Sequence, residues 1–413
     1  MDSFPLQYTA PTVIPATDTT RMVKSITLHG HGQFRRIKVE ETPLGENLAS
    51  NHVEIEVRYC GLNFTDNYLR LGIIRNSNFP VIMGSECSGV ITRLGEDIID
   101  LEVGQKVLCL KMQGGLFRHV VQVPRKHCFE VPRDTDLKDA VAIGLNFLVA
   151  HVCLFEFGDL KPRNKIFMQS IAGGVGTAVI ELAKTIPLVK IYGSASESKH
   201  RKLNALRIDS AFEHEEDYVE EILDVHPEGL DVVINSNGGS DVEKCLRLLN
   251  QRGMLINIGS NSTAIYPKTT IWGMRPTWDT KYISSAELVS KNLSVAGLNI
   301  GLFMENYPRL TQDILNELFD LHSIGEIEPH VHSVLPFEKV AVGLTQLCKR
   351  ENYGKVILDL KKRDEDSDEP LQQVPEPEEA QPANSCHEQP RRLSVDLEEM
   401  TTVASVPEKN EAK

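Results

Sequence analysis

The chain has 413 residues, 41% hydrophobic and 25% charged, the balance of a globular protein too long for one compact core, so two domains and a tail are expected. Its formal net charge of −14 is unevenly placed: residues 364–413 carry fourteen acidic and four basic side chains, a charge of −10, which leaves −4 elsewhere. An acidic tail without a basic stripe excludes a nucleic-acid partner, and no run of roughly 18 apolar residues announces a membrane-spanning helix. The start, Met1-Asp2-Ser3-Phe4-Pro5, lacks the basic and apolar regions of a secretory signal, so none is expected. Eight cysteines stand singly, with no C-x-x-C pair, which argues against a zinc ribbon or a disulfide framework and fits the cytoplasm.

In chain order, residues 1–21 are rich in Pro and Thr without periodicity and read as a mobile extension. Strand patterns follow at Val23–Leu28, Phe34–Val39 and Val53–Tyr59, the last alternating with period two, then at Ser88–Leu94, Lys106–Leu110 and His119–Val123. An all-β, barrel-like region is the coarse reading. Asp134–Phe157 reads as a helix with Asp136 as its N-cap.

The stretch from Lys165 to Arg201 then changes the pattern. A buried-strand run, Lys165–Ser170, meets a glycine turn, Ala172-Gly173-Gly174-Val175-Gly176. A helical run expected to start near Thr177 and a second strand, Val189–Gly193, complete a βαβ unit. Glycines there let a pyrophosphate approach the backbone, and the helix N-terminus offers it N–H groups and partial positive charge. Ile171 stands where the first Gly of G-x-G-x-x-G would be, a side chain that would crowd the pyrophosphate if it pointed outward. At the end of the second strand, Ser194 and Ser196 with Lys199 and Arg201 suit a 2′-phosphate, whereas Glu197 pointing inward would favour NAD. NADPH is the expected cofactor.

Further alternation follows: strand Asp231–Asn235, helix Val242–Leu249, strand Gly253–Gly259 and strand Ser294–Leu298, the signature of a parallel sheet. Ligands bind at the carboxyl ends of such strands, which makes Asn235, Gly238, Gly259 and Ser260 candidate cofactor contacts. A helix at Tyr307–Leu321 and strands at Ile327–Val334 and Lys355–Leu360 would return the chain to its first domain. Beyond Lys362 the composition is that of disorder, and within it Arg391-Arg392-Leu393-Ser394 resembles a site for a basic-directed kinase acting on Ser394.

With these residues in hand, Met22–Lys362 resembles the medium-chain dehydrogenase/reductase superfamily. Its quinone oxidoreductase branch, and within that the vesicle amine transport protein homologues, fit best. The motifs are Cys60-Gly61-Leu62-Asn63-Phe64-Thr65-Asp66, Gly84-Ser85-Glu86-Cys87-Ser88-Gly89, Ala172–Gly176, Asn146-Phe147, Trp278 and Gly354-Lys355-Val356-Ile357-Leu358. The resemblance implies an α/β protein: a GroES-like β-barrel catalytic domain plus a Rossmann doubly wound parallel sheet. The expected domains are a flexible extension (1–21), the catalytic domain's first part (22–146), the Rossmann domain (147–300), a return to the catalytic domain (301–362) and an acidic disordered tail (363–413).

Zinc-dependent members carry Cys and His where this chain has Asn63 and Ser85, so the resemblance implies no metal. It implies instead hydride transfer from NADPH to a small-molecule acceptor, a quinone or an enone, lying between the domains near Asn63 and Tyr68. Tyr68 would hydrogen-bond the acceptor's carbonyl, and Asn63 would hold ribose or nicotinamide. The tyrosine that relatives place beside the 2′-phosphate is Glu213 here, and Asn235 replaces the usual Asp. A homodimer is expected from the same resemblance. The alternative function is a reductase-fold binding or regulatory protein with peripheral association to vesicle or organelle membranes.

Overall fold

A computed structural model of the chain describes residues 20–74, 76, 78–214, 217–239, 241–261 and 283–363. All belong to one compact unit, Met1–Asp366. The acidic tail with Ser394, the extension up to residue 19, and Trp278 lie outside the described residues.

The first part of the chain is β-rich: β1 (Thr20–Leu28), β2 (Ile37–Gly45), β3 (His52–Leu62), helix α1 (Phe64–Leu71), β4 (Val81–Ile82), β5 (Glu86–Leu94), β6 (Lys106–Leu110), β7 (Val120–Pro124) and β8 (Cys128–Glu130). After these come α2 (Leu137–His151), β9 (Lys165–Met168), α3 (Gly174–Lys184), β10 (Lys190–Ser194), α4 (His200–Ala205), β11 (Ser210–Phe212), α5 (Tyr218–Val225), β12 (Leu230–Asn235), α6 (Asp241–Arg247) and β13 (Leu249–Asn257). The chain closes with α7 (Ser285–Lys291), β14 (Ser294–Gly297), α8 (Ile300–Asn306), α9 (Pro308–Ser323), β15 (Val331–Pro336), α10 (Val340–Cys348) and β16 (Lys355–Asp359).

Three sheets result. β2-β1-β4 is antiparallel, and β15-β16-β3-β5-β6-β8 forms the larger barrel-type sheet, with β7 also on β3. β11-β10-β9-β12-β13-β14 is parallel throughout, the Rossmann sheet. The two sequence patterns explain the difference. In β3, Val53, Ile55 and Val57 point into a core, while in β9 Ile166, Phe167 and Met168 are all buried because helices cover both faces. Glu54 departs from the alternation: it is buried at the centre of Arg21, Arg93 and Gln122, which supply the charge and hydrogen bonds its carboxylate loses to water.

α2 joins the two halves. Asp136 caps it as expected, accepting the Lys138 N–H at 2.7 Å, and a π-helical turn extends it to Phe157. By length and composition Leu137–Phe157 could cross a membrane, contrary to the sequence reading, yet 83% of its most apolar window is inside the protein. Its side chains meet Leu108, Leu110 and Phe129 from the barrel-type sheet and Ile166, Met168 and Ile234 from the Rossmann sheet, so its hydrophobicity belongs to a core.

Several boundaries differ from the pattern. Thr20 and Arg21 already pair in β1. Phe34–Arg36 is a 3-10 turn, so the strand begins at Ile37. α6 ends at Arg247 and β13 begins at Leu249, where a helix was expected to continue. α8 was not foreseen. α3 begins at Gly174, three residues before Thr177, because glycines at the N-terminus hide the start of an apolar helical pattern.

Candidate active site

Between the parallel sheet and the barrel-type sheet lies a cavity of about 200 Å³. The glycine turn forms one wall. The glycines differ in what a side chain would meet. A Cβ on Gly176 would come within 2.2 Å of the Ile171 backbone, and one on Gly174 within 2.1 Å of the Asn146 Nδ2. A Cβ on Gly173 would meet only the Ser170 carbonyl, at 3.2 Å, the least crowded of the three positions. Ile171 does not plug the turn: its side chain is fully buried and packs where Gly193 leaves room, 2.5 Å from the position of a Cβ.

One end of the cavity is basic, lined by Ser196, Lys199, His214 and Arg350. The Lys199 ammonium donates to the Arg350 carbonyl; burial and then the Arg350 charge push its pKa down to about 8. Burial, then Arg350 and Lys199, push His214 down to about 4. Lys199 and Arg350, with an uncharged His214 beside them, favour an anion. Glu197 is exposed, and its N–H donates to Glu213 at 3.3 Å, so neither carboxylate is among the lining groups. Arg201 is exposed and outside the lining as well.

The other end is apolar, with Leu62, Phe64, Met112, Leu145 and Val149 around Asn63, Tyr68 and Lys355. Asn63 opens α1, where Asp66 accepts its N–H at 2.9 Å. The Asn63 amide donates to Glu86 Oε2 at 2.9 Å, and its Oδ1 accepts from Lys355 Nζ at 2.8 Å. Lys355 also pairs with Glu86 Oε2 at 2.5 Å, both side chains being almost wholly buried. Glu86 Oε1 accepts the Leu145 N–H at 2.6 Å, where Gly144 breaks the helical backbone of α2. Side chains at Gly61 or Gly144 would collide with this carboxylate. Burial raises Asp66 to about 7, against the Asn63 N–H and the Lys355 charge. Tyr68 spans the cleft: its hydroxyl donates to Asn261 Oδ1 at 2.6 Å and accepts the Ser260 N–H at 2.9 Å.

Of the residues singled out from sequence, Asn63, Tyr68, Gly173, Gly174, Val175, Gly176, Ser196, Lys199 and Gly259 line one cavity. Ser194, Asn235, Gly238 and Ser260 lie outside its lining. Ser194 is buried and accepts the Ser170 N–H at 3.3 Å. Asn235 holds its own turn, accepting the N–H groups of Asn237 at 2.9 Å and Gly238 at 3.0 Å, and Gly238 takes a positive φ of 73° there. Sequence reasoning missed Glu86, Lys355, Arg350, His214 and Asn146 as site residues. Lys355, a lone charge opening an apolar strand, was the visible signal.

A nicotinamide dinucleotide fits this donor set. Gly173 is the least crowded glycine of the turn, Ser170 Oγ is a buried hydroxyl of the lining without a hydrogen-bond partner, and Lys199 and Arg350 gather positive charge at one end. Among the described residues no group of three or more His, Cys, Asp or Glu side chains is placed to hold a metal ion.

A barrel-type sheet and a Rossmann sheet flanking one cleft define the class: the chain belongs to the medium-chain dehydrogenase/reductase superfamily, a family of oxidoreductases. Residues 49–133 match the alcohol dehydrogenase GroES-like domain, and residues 208–358 match the zinc-binding dehydrogenase family. Within the superfamily it is 33% identical to the synaptic vesicle membrane protein VAT-1 homolog of Danio rerio over 83% of this chain and 71% of that protein. The crystal structure of the human VAT-1 homolog-like protein superposes with a TM-score of 0.72 at 28% identity, covering 83% of this chain and 99% of the other. The Escherichia coli quinone oxidoreductase solved with NADPH has the same fold, with a TM-score of 0.70 at 21% identity over 81% of this chain and 99% of that one.

Proposed function

We propose that the protein is a zinc-independent, NADPH-dependent oxidoreductase of the quinone reductase type that reduces a quinone-like or enone acceptor. The observation that carries this reading is the continuity of the cavity, which joins a glycine turn, a cationic end and an apolar end. Bound NADPH would supply the hydride. Gly173–Gly176 would take the pyrophosphate on the N-terminus of α3, and Ser196 and Lys199 would take the 2′-phosphate. Asn63, whose amide N–H groups are taken by Gly61 and Glu86, would offer the ribose or nicotinamide its Oδ1, and the apolar wall would exclude water from the acceptor. Zinc independence is supported by chemistry: Asn63 and Ser85 are poor zinc ligands, and the Lys355 ammonium already sits on Asn63 Oδ1, where it would repel a dication.

Relatives are named as synaptic vesicle membrane proteins. Since the described run apolar enough to span a bilayer is interior, contact of this chain with a vesicle would be peripheral. A homodimer belongs to the same reading. The test is a titration of nicotinamide fluorescence on the full chain. NADPH should bind, and Lys199→Ala should weaken it by about tenfold or more, as expected for one lost charged contact to phosphate. Absence of binding at millimolar NADPH would overturn the reading and leave a reductase-fold binding protein.

A further inference from the structure

Tyr68 was the residue expected to polarise the acceptor, but its hydroxyl proton is already given to Asn261 Oδ1 at 2.6 Å. A phenol with its one O–H donor engaged has no second to offer. Lys355 stands on the same cavity with different means. It is 2% exposed, and two of its contacts are accounted for, to Asn63 Oδ1 at 2.8 Å and Glu86 Oε2 at 2.5 Å, while an ammonium carries three donors. Glu86 is itself immobilised by the Leu145 and Asn63 N–H groups between Gly61 and Gly144. A buried ion pair so tightly held is costly to desolvate and is weak evidence of a stabilising device. A fixed cation beside an apolar pocket is what developing negative charge on oxygen requires.

Resting on the oxidoreductase reading, we infer that Lys355 is the group that receives the acceptor's carbonyl oxygen and protonates it. An enone that gains hydride at its β carbon forms a C–H bond there, its C=C π pair becomes a bond between the α carbon and the carbonyl carbon, and the carbonyl π pair moves onto oxygen. Lys355 passes one N–H proton to that oxygen, giving an enol that relaxes to the saturated ketone, and a solvent proton restores the ammonium. Glu86 and Asn63 act as positioning residues. They hold the ammonium in place beside the pocket.

The test uses the full-length protein, Lys355→Met and the paired Lys355→Met/Glu86→Gln, which removes both charges of the pair. Three readouts are followed: NADPH fluorescence, reduction of methyl vinyl ketone, and the ionisation of para-nitrophenol, an enolate-like probe whose absorbance needs no turnover. The expected result is NADPH affinity within about threefold of wild type, kcat/KM lowered about 100-fold or more, and loss of the nitrophenolate signal that wild type shows. Tyr68→Phe should cost less than either Lys355 variant. Turnover and nitrophenolate binding retained in the paired variant would overturn the inference. Wild-type nitrophenolate binding without NADPH binding would instead sink the oxidoreductase reading while supporting the oxyanion site.

Discussion

Asp66 and Lys199 are the residues whose environment makes a pH-dependent statement. Asp66 is fully buried and its carboxyl is raised from 3.8 to about 7. Between those values the folded state binds the extra proton, so stability falls as pH rises through the window, by on the order of 4 kcal/mol at full extent. Asp66→Asn keeps an oxygen for the Asn63 N–H and removes the charge. It should raise the melting temperature more at pH 8 than at pH 5, the comparison being made on thermal melts; a pH-independent change would contradict the burial argument. Lys199, lowered to about 8, loses its proton just where an incoming 2′-phosphate would keep it. NADPH affinity should therefore fall as pH rises through about 8 while NADH affinity stays level, measured by titration at several pH values.

At the scale of elements, the turn between β9 and α3 separates folding from binding. Gly176 packs against the Ile171 backbone, so Gly176→Ala should cost about 1–3 kcal/mol in urea unfolding. Gly173 faces the cavity with only the Ser170 carbonyl near, so Gly173→Ala should fold almost as well as wild type yet bind NADPH more weakly. Equal stability losses in the two variants would contradict that division. This element was readable in the sequence because strand, turn and helix are contiguous and each has its own residue pattern. The Glu86–Lys355 pair was not readable in the same way. Its partners are 269 positions apart, and no local periodicity marks which lysine of an apolar strand will face which carboxylate. The same holds for Arg350, brought beside Lys199 by the return of the chain, where Gly354 pairs with Gly173 across the turn. Arg201 was read as a phosphate contact from proximity in sequence, but α4 turns it outward. Asn235 was read as a cofactor contact from its place at a strand end, but its amide oxygen is taken by its own turn and its amide nitrogen donates to Asn257.

For the whole molecule, one core cluster draws side chains from both large sheets, with α2 between them. Removing one sheet would expose a helix long and apolar enough to cross a membrane. Residues 20–363 should therefore unfold in one transition, with far- and near-ultraviolet circular dichroism coinciding in urea. Two separated transitions would contradict a shared core. The same arrangement fixes the cleft: Tyr68 reaches Asn261 from one side, and Lys199 holds the Arg350 carbonyl from the other. The central claim is that a phosphate-bearing nicotinamide cofactor lies in that cleft on the N-terminus of α3. Nicotinamide fluorescence on purified full-length protein measures it most directly. Saturable NADPH binding is expected at about 100 μM or tighter, weakened by Lys199→Ala and by Gly173→Ala. A flat titration to millimolar NADPH, on protein that melts cooperatively, would contradict it.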